Sequence, residues 1–175
     1  LVGQAVRRAH HRVGVSVRVE HGDGRRRAAR RAARLPLEPC LAKMLISSGE
    51  LGCSQEIVTI VSMLQVENVF INASPADRDK FRIAKRKFEV AEGDLMTLLN
   101  IYYAFQKFGK NKHWCSSHYL RYKALHRATE LQQQLFKVLK RFNVPIVSCH
   151  EKEIILKTIV TGLFPHAAYL HHSVL

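Results

Sequence analysis

Residues 93–109 read GDLMTLLNIYYAFQKFG. Leu95, Leu98, Leu99, Tyr102 and Phe105 recur there at three- and four-residue intervals, the spacing that gathers side chains on one face of an α-helix. Asp94 suits the N-cap, where a short acceptor side chain can take an orphan backbone N–H. Gly109 suits the far end, because it leaves the helix without a Cβ penalty. The spacing therefore predicts a helix from Asp94 to Gly109.

The same period continues in both directions. After Trp114 a long helical stretch is expected from about Ser116 to Arg141, interrupted near residues 121–123. Leu131, Leu135, Val138, Leu139 and Phe142 form its apolar stripe, and Pro145 closes it. A last helix, from about Glu151 to Leu163, buries Ile154, Ile155, Ile159 and Leu163, with Glu151 and Glu153 complementing its dipole. Upstream, Ser74 suits a cap, Pro75 the first helical position and Asp77 the answering side of a capping box. The helix they open carries Arg78, Lys80, Arg82, Lys85, Arg86 and Lys87 opposite Phe81, Ala84 and Phe88. Earlier still, Ser54 suits a cap for the face Ile57, Ile60, Val61 and Leu64. Pro36 and Pro39 bracket the entry to Leu41, Met44 and Leu45, with Gly49 expected to stop that segment. No convincing strand pair follows residue 35. The fold class is all-α, a helical bundle.

Residues 1–34 differ from the rest. They hold ten arginines against Glu20 and Asp23, and so carry +8 of the formal net charge of +14. Val13, Val15, Val17 and Val19 alternate like a strand, but a single strand has no partner and is unstable alone. A basic, disordered or loosely held arm is expected, with a folded RNA-binding element as the alternative. A basic body with a more basic arm points to a polyanion, nucleic acid first. The chain starts at Leu1 rather than Met and is expected to be a fragment.

Several chemistries are disfavoured. No G-x-x-x-x-G-K-[ST] run occurs to cradle phosphates, and no paired-acid box to hold Mg²⁺, so ATP hydrolysis by this chain alone is not expected. Cys40, Cys53, Cys115 and Cys149 stand far apart with no C-x-x-C; reduced thiols are expected rather than a disulfide framework. His113, Cys115 and His118 with Cys149 and His150 show only one ligand pair at structural-zinc spacing, so no metal is expected. No apolar run approaches the ~20 residues that span a bilayer. What remains is RNA contact. Lys107, Lys110, Lys112, Trp114, His118, Tyr119, Arg121, Tyr122, Lys123 and Arg127 interleave charge and ring, as a phosphate-and-base surface would. The same residues equally suit a core of rings under a solvated basic face.

Particular strings now carry more than periodicity. LPLEP (35–39), LAKML (41–45), GCSQEIVTI (52–60), EGD (92–94), TLLN (97–100), Trp114-Cys115, Gln134-Leu135 and Gly162-Leu163-Phe164 with Ala167-Ala168 occur in order. Together they strongly resemble the C-terminal helicase-associated region of DEAH-box ATP-dependent RNA helicases over about residues 31–170. The resemblance implies a ratchet-like bundle at 46–165, preceded at 35–45 by the end of a degenerate winged helix. Residues 166–175 are then a truncated remnant of an OB-fold-like domain. It also implies that ATP and Mg²⁺ belong to RecA-like domains of a parent, and that this chain holds no cofactor and is not itself an enzyme. The region would form one wall of a single-strand RNA channel, with RNA and the RecA-like domains as partners and a nuclear or nucleolar setting, otherwise cytoplasmic. Asn100, Lys112, Arg121 and Lys123 are the candidate RNA contacts. Alternatives are a module that docks helicase-activating or ribonucleoprotein partners, or a nonfunctional truncation. Three departures stand out: Leu95 where the family usually has His, Gln132 where it usually has Arg, and an OB-like segment cut short between Leu170 and His171.

Overall fold

The computed structural model describes residues 37–168. Among them are seven α-helices: α1 (Pro39–Leu51), α2 (Ser54–Leu64), α3 (Arg78–Arg86), α4 (Asp94–Lys107), α5 (Lys112–Ser117), α6 (Tyr122–Arg141) and α7 (Lys152–Leu163). Two 3₁₀ turns, Pro75–Asp77 and Phe164–His166, precede α3 and follow α7. The all-α expectation holds. The stretch expected from about Ser116 is helical from Tyr122, and the break falls at residues 118–121 rather than 121–123; Ser116 and Ser117 instead end the separate helix α5, which begins at Lys112. The expectations for the arm, and for residues 169–175, lie outside the described residues.

α2 is the central rod. Leu64 is exposed and Gln55 faces outward, while every other residue of the helix is buried, so it must be covered all round. α1, α4, α6 and α7 supply that cover. α1 and α7 pack most closely, because Gly162 lies on the α1 backbone. A Cβ there would fall 2.3 Å from the Cys40 carbonyl oxygen and 2.7 Å from Met44 Cγ.

Two apolar cores result. The first joins α1, α2 and α7 to the N-terminal part of α4 and the C-terminal part of α6, around Met44, Leu45, Ile57, Ile60 and Leu139. The second lies under α5, where Ile101, Tyr102, Phe105, Cys115, Leu120 and Leu125 meet. Polar bonds tie the rods between cores. Gln132 Nε2 donates to Thr59 Oγ1 at 2.8 Å, and the Tyr102 hydroxyl donates to Gln132 Oε1 at 2.8 Å. Gln132 is thus spent inside the bundle. Every buried side-chain nitrogen and oxygen among the described residues has a partner, as such groups must to avoid a desolvation penalty.

Several caps differ from the sequence expectation. Cys53, not Ser54, is the N-cap of α2. Ser54 Oγ instead donates to the Pro145 carbonyl at 2.7 Å and accepts from Val147 N at 2.8 Å, pinning the loop before α7. Gly93, with φ +102, is the N-cap of α4, and Asp94 is its first helical residue. Gly49 does not stop α1; the helix ends at Leu51, with Gly52 in the left-handed conformation. Ser74 and Asp77 bond to each other at 3.0 Å rather than to the backbone, and they open a 3₁₀ turn. Short polar side chains can satisfy several neighbouring groups, and sequence spacing does not choose among them.

Candidate nucleic-acid interface

The segment from Leu95 to Thr129 contains no Asp or Glu, yet holds Lys107, Lys110, Lys112, Arg121, Lys123 and Arg127. It forms all of α4 after Asp94, the loop that follows, α5, a second loop and the start of α6; its cations begin only at Lys107, the last residue of α4. The Phe105 and Tyr122 rings, 6.1 Å apart, bring the C-terminal end of α4 beside the N-terminal end of α6. The helix ends that carry Lys107 and Lys123 therefore meet at one end of the bundle, beside the second core, while Arg127 pairs with Glu130 at 3.2 Å.

The backbone fixes that surface closely. Gly109 takes φ +66, and Lys110 N donates to the Phe105 carbonyl at 2.9 Å, closing α4 with a left-handed cap. Asn111 then caps α5, its Oδ1 accepting from His113 N at 2.7 Å and Trp114 N at 3.3 Å. After α5, Tyr119 turns through φ +56. The Tyr119 carbonyl accepts from Ile71 N at 2.8 Å, and Arg121 N donates to the Val69 carbonyl at 2.7 Å. The linker that precedes α3 is thereby laced to the loop that precedes α6.

The four candidate residues sit in different places. Lys112 and Lys123 are exposed, and among the described residues neither has a carboxylate within 4 Å. Arg121 Nη1 donates to Glu67 Oε2 at 2.8 Å and so holds the same linker. Asn100 Nδ2 donates to the Phe88 carbonyl at 2.9 Å, tying α4 to the segment after α3. Asn100 also lines a separate cleft of about 310 Å³ beside Glu56, Tyr103 and Lys152. There the buried Glu56 carboxylate accepts from Ser148 Oγ at 2.6 Å, Tyr103 Oη at 3.2 Å and Cys149 N at 3.2 Å. Burial, then the Glu56 carboxylate, push the Tyr103 phenol up. The structure thus leaves Lys112 and Lys123 exposed at the starts of α5 and α6 and turns Asn100 towards another part of the bundle.

The rings of this surface are neither all core nor all exposed. Phe108 is 53% exposed and stacks on Trp114, with centroids 5.1 Å apart and planes 17° apart. Trp114 lies in turn 4.7 Å from the His118 ring, and Phe88 meets both edge-on. Tyr119 is half-buried against Phe81. Phe108 is a feature that sequence reasoning missed. The available signal was an aromatic set between lysines, Lys107-Phe108-Gly109-Lys110, at the point where the helical period ends. Cys115 is buried, and that burial pushes its thiol up to about 11.

α3 adds a second basic element. Only Ala84 of this helix is buried; Phe81 holds it by edge contacts to Phe70 and Tyr119, 5.9 and 5.8 Å away. Lys80 pairs with Asp77, Arg82 with Asp79 and Lys85 with Glu89, a pattern that offsets much of its charge.

Residues 38–98 match the family described as "Helicase associated domain (HA2), ratchet-like". The chain is similar to the "Probable ATP-dependent RNA helicase DHX35" of Homo sapiens, 45% identical over 144 residues, which are 82% of this chain and 20% of that protein. Its Caenorhabditis elegans homolog is 40% identical over 81% of this chain and 20% of its own length. The "Pre-mRNA-splicing factor ATP-dependent RNA helicase prp22" of Schizosaccharomyces pombe is 36% identical over 79% of this chain and 12% of its own length. The chain spans about a fifth or less of the relatives it matches.

Proposed function

We propose that this chain, which belongs to the helicase-associated, ratchet-like region of DEAH-box ATP-dependent RNA helicases, lines one wall of a single-strand RNA channel in a larger helicase. The observation that carries this reading is the acid-free span from Leu95 to Thr129, in which Lys112 and Lys123 are exposed and carry no ion pair among the described residues, whereas Arg121 and Arg127 are held by Glu67 and Glu130. A phosphate backbone rewards such a surface by counterion release. Lys112 and Lys123 serve as the direct phosphate ligands. Arg121 and Asn100 act by holding the linker and α4 in place, through Glu67 and the Phe88 carbonyl.

The bond chemistry belongs, on this reading, to RecA-like domains elsewhere in the parent, which bind ATP and Mg²⁺ and move RNA past the bundle. On this reading the bundle proper extends to residue 165, with 166–175 the start of an OB-like domain and 1–34 a basic arm; at its N-terminal side α1 runs unbroken from Pro39 to Leu51 across the expected winged-helix boundary at 45/46. The splicing function in the name of the Schizosaccharomyces pombe relative supports a nuclear setting. A second reading, protein docking, is favoured by the end of α7. Val160 and Phe164 are 60% and 57% exposed there, with Lys43 Nζ 4.7 Å from the centroid of the Phe164 ring.

Binding of labelled single-stranded RNA across a salt series tests the proposal. Lys112→Gln with Lys123→Gln should flatten the log–log salt slope by roughly 0.7 for each phosphate that is no longer neutralised. Asn100→Ala should lower stability and leave the slope alone. An unchanged slope in the double lysine variant would count against the channel wall.

A further inference from the structure

Three places in the molecule hold chemistry that phosphate binding does not use: the Glu56 cleft, the exposed end of α7, and the ring stack on α5. Glu56 already accepts three hydrogen bonds, and nothing indicates what covers α7. The stack is different, because its outermost ring is left open inside a field of cations.

We propose that Phe108 is a platform on which one base of single-stranded RNA stacks. The inference rests on the RNA-channel reading and deepens it, adding a base-stacking site to the phosphate-binding lysines. Phe108 presents one face to Trp114 in a near-parallel stack, and with 53% of the residue exposed its other face is open to a ligand. Trp114 is itself held at its back by His118, whose Nδ1 lies 2.8 Å from the Trp114 carbonyl oxygen. A supported ring loses little freedom when a base lands on it, so stacking is not offset by ordering of the side chain. Lys107, Lys110 and Lys112 flank the ring in sequence, and none of them pairs with a carboxylate within 4 Å among the described residues. Lys110 is held at φ +55 by its bond to the Phe105 carbonyl, which fixes the backbone between the ring and Asn111. A nucleotide supplies what this arrangement lacks: a flat apolar face for Phe108 and flanking negative charge for the lysines. Stacking on a ring face does not discriminate among bases, so the platform takes any base.

Residues 1–175, wild type and Phe108→Lys, would be titrated with an oligouridylate of about a dozen nucleotides and with the same ribose-phosphate chain lacking bases. Far-ultraviolet circular dichroism would check that both proteins are helical. Trp114 is the single tryptophan, so its fluorescence reports directly beneath the platform. The wild type should bind oligouridylate more tightly than the abasic chain, with a change in Trp114 emission on the former alone. Phe108→Lys should weaken oligouridylate binding roughly five- to a hundredfold, the range for removing one base–aromatic stack, and should bind the abasic chain at least as well because it adds a cation. If Phe108→Lys instead tightens binding to both chains, the platform is overturned and phosphate attraction alone remains. If the wild type binds neither chain, the channel-wall reading fails with it. Concentration-dependent dimerisation that Phe108→Lys abolishes would assign the ring to a second copy of the chain and also overturn the proposal.

Discussion

Gly162 shows what a single position decides. Its missing Cβ lets α7 rest on the α1 backbone at Cys40, and neither backbone can yield without disturbing the first core. Gly162→Ala should cost about 3 kcal/mol, at the upper end for overpacking, read as a lower urea midpoint at unchanged slope. Glu56 is the polar counterpart. The residue is 2% exposed, and its carboxylate accepts from Ser148, Tyr103 and Cys149. Glu56→Ala removes the charged acceptor that ties those donors, on exposed or half-buried residues, to α2, and should cost about 2 kcal/mol. Burial also holds the Cys115 thiol neutral, raising its value from the ordinary 9.0 to about 11, and raises Cys53 in the same direction. The folded state therefore binds more protons than the unfolded state between these values, and stability falls as pH rises. Thermal unfolding should show the thiols' full contribution below pH 9 and its disappearance as pH rises through about 11. Substituting Cys115 by Ala should flatten that decline.

At the scale of elements, the helices were readable and their ends were not. α4, α6 and α7 each follow the three-four period that marks one apolar face. Their caps depend on which of several nearby groups a short side chain meets. Ser54 answers the Pro145–Val147 loop, 91 residues away in sequence, and no local spacing contains that information. The candidate site divides in the same way. The basic face of Lys112 and Lys123 was visible as charge interleaved with rings. Arg121 looks identical in sequence, but its guanidinium goes to Glu67, 54 residues away. Arg121→Ala should therefore change stability by less than about 1 kcal/mol, because the pair is exposed. Its main effect should be faster amide hydrogen exchange along the Val69–Ile71 linker, which that residue helps lace to the loop before α6.

For the whole molecule, length and composition pointed to one apolar-cored domain with a polyanion partner, and the ordered strings pointed to a helicase-associated region. Neither said where in the bundle RNA would lie. That placement needs the junction of α4, α5 and α6, where neighbours distant in sequence turn a set of lysines and rings into a surface. Phe108 was missed for this reason: it continues the apolar period of α4, and only the fold shows that the helix ends before the ring can enter the core. The arginines of residues 1–34 offer the competing source of affinity, since that segment carries more net charge than the rest of the chain together. Binding alone does not separate the two.

The most direct measurement is photochemical crosslinking of 4-thiouridine-substituted single-stranded RNA to residues 1–175, with the crosslinked peptides identified by mass spectrometry at moderate salt. Crosslinks concentrated between residues 107 and 127, and reduced by Lys112→Gln with Lys123→Gln, are the result predicted for an RNA-channel wall. Crosslinks confined to residues 1–34, or to the α7 end near Phe164, would contradict it.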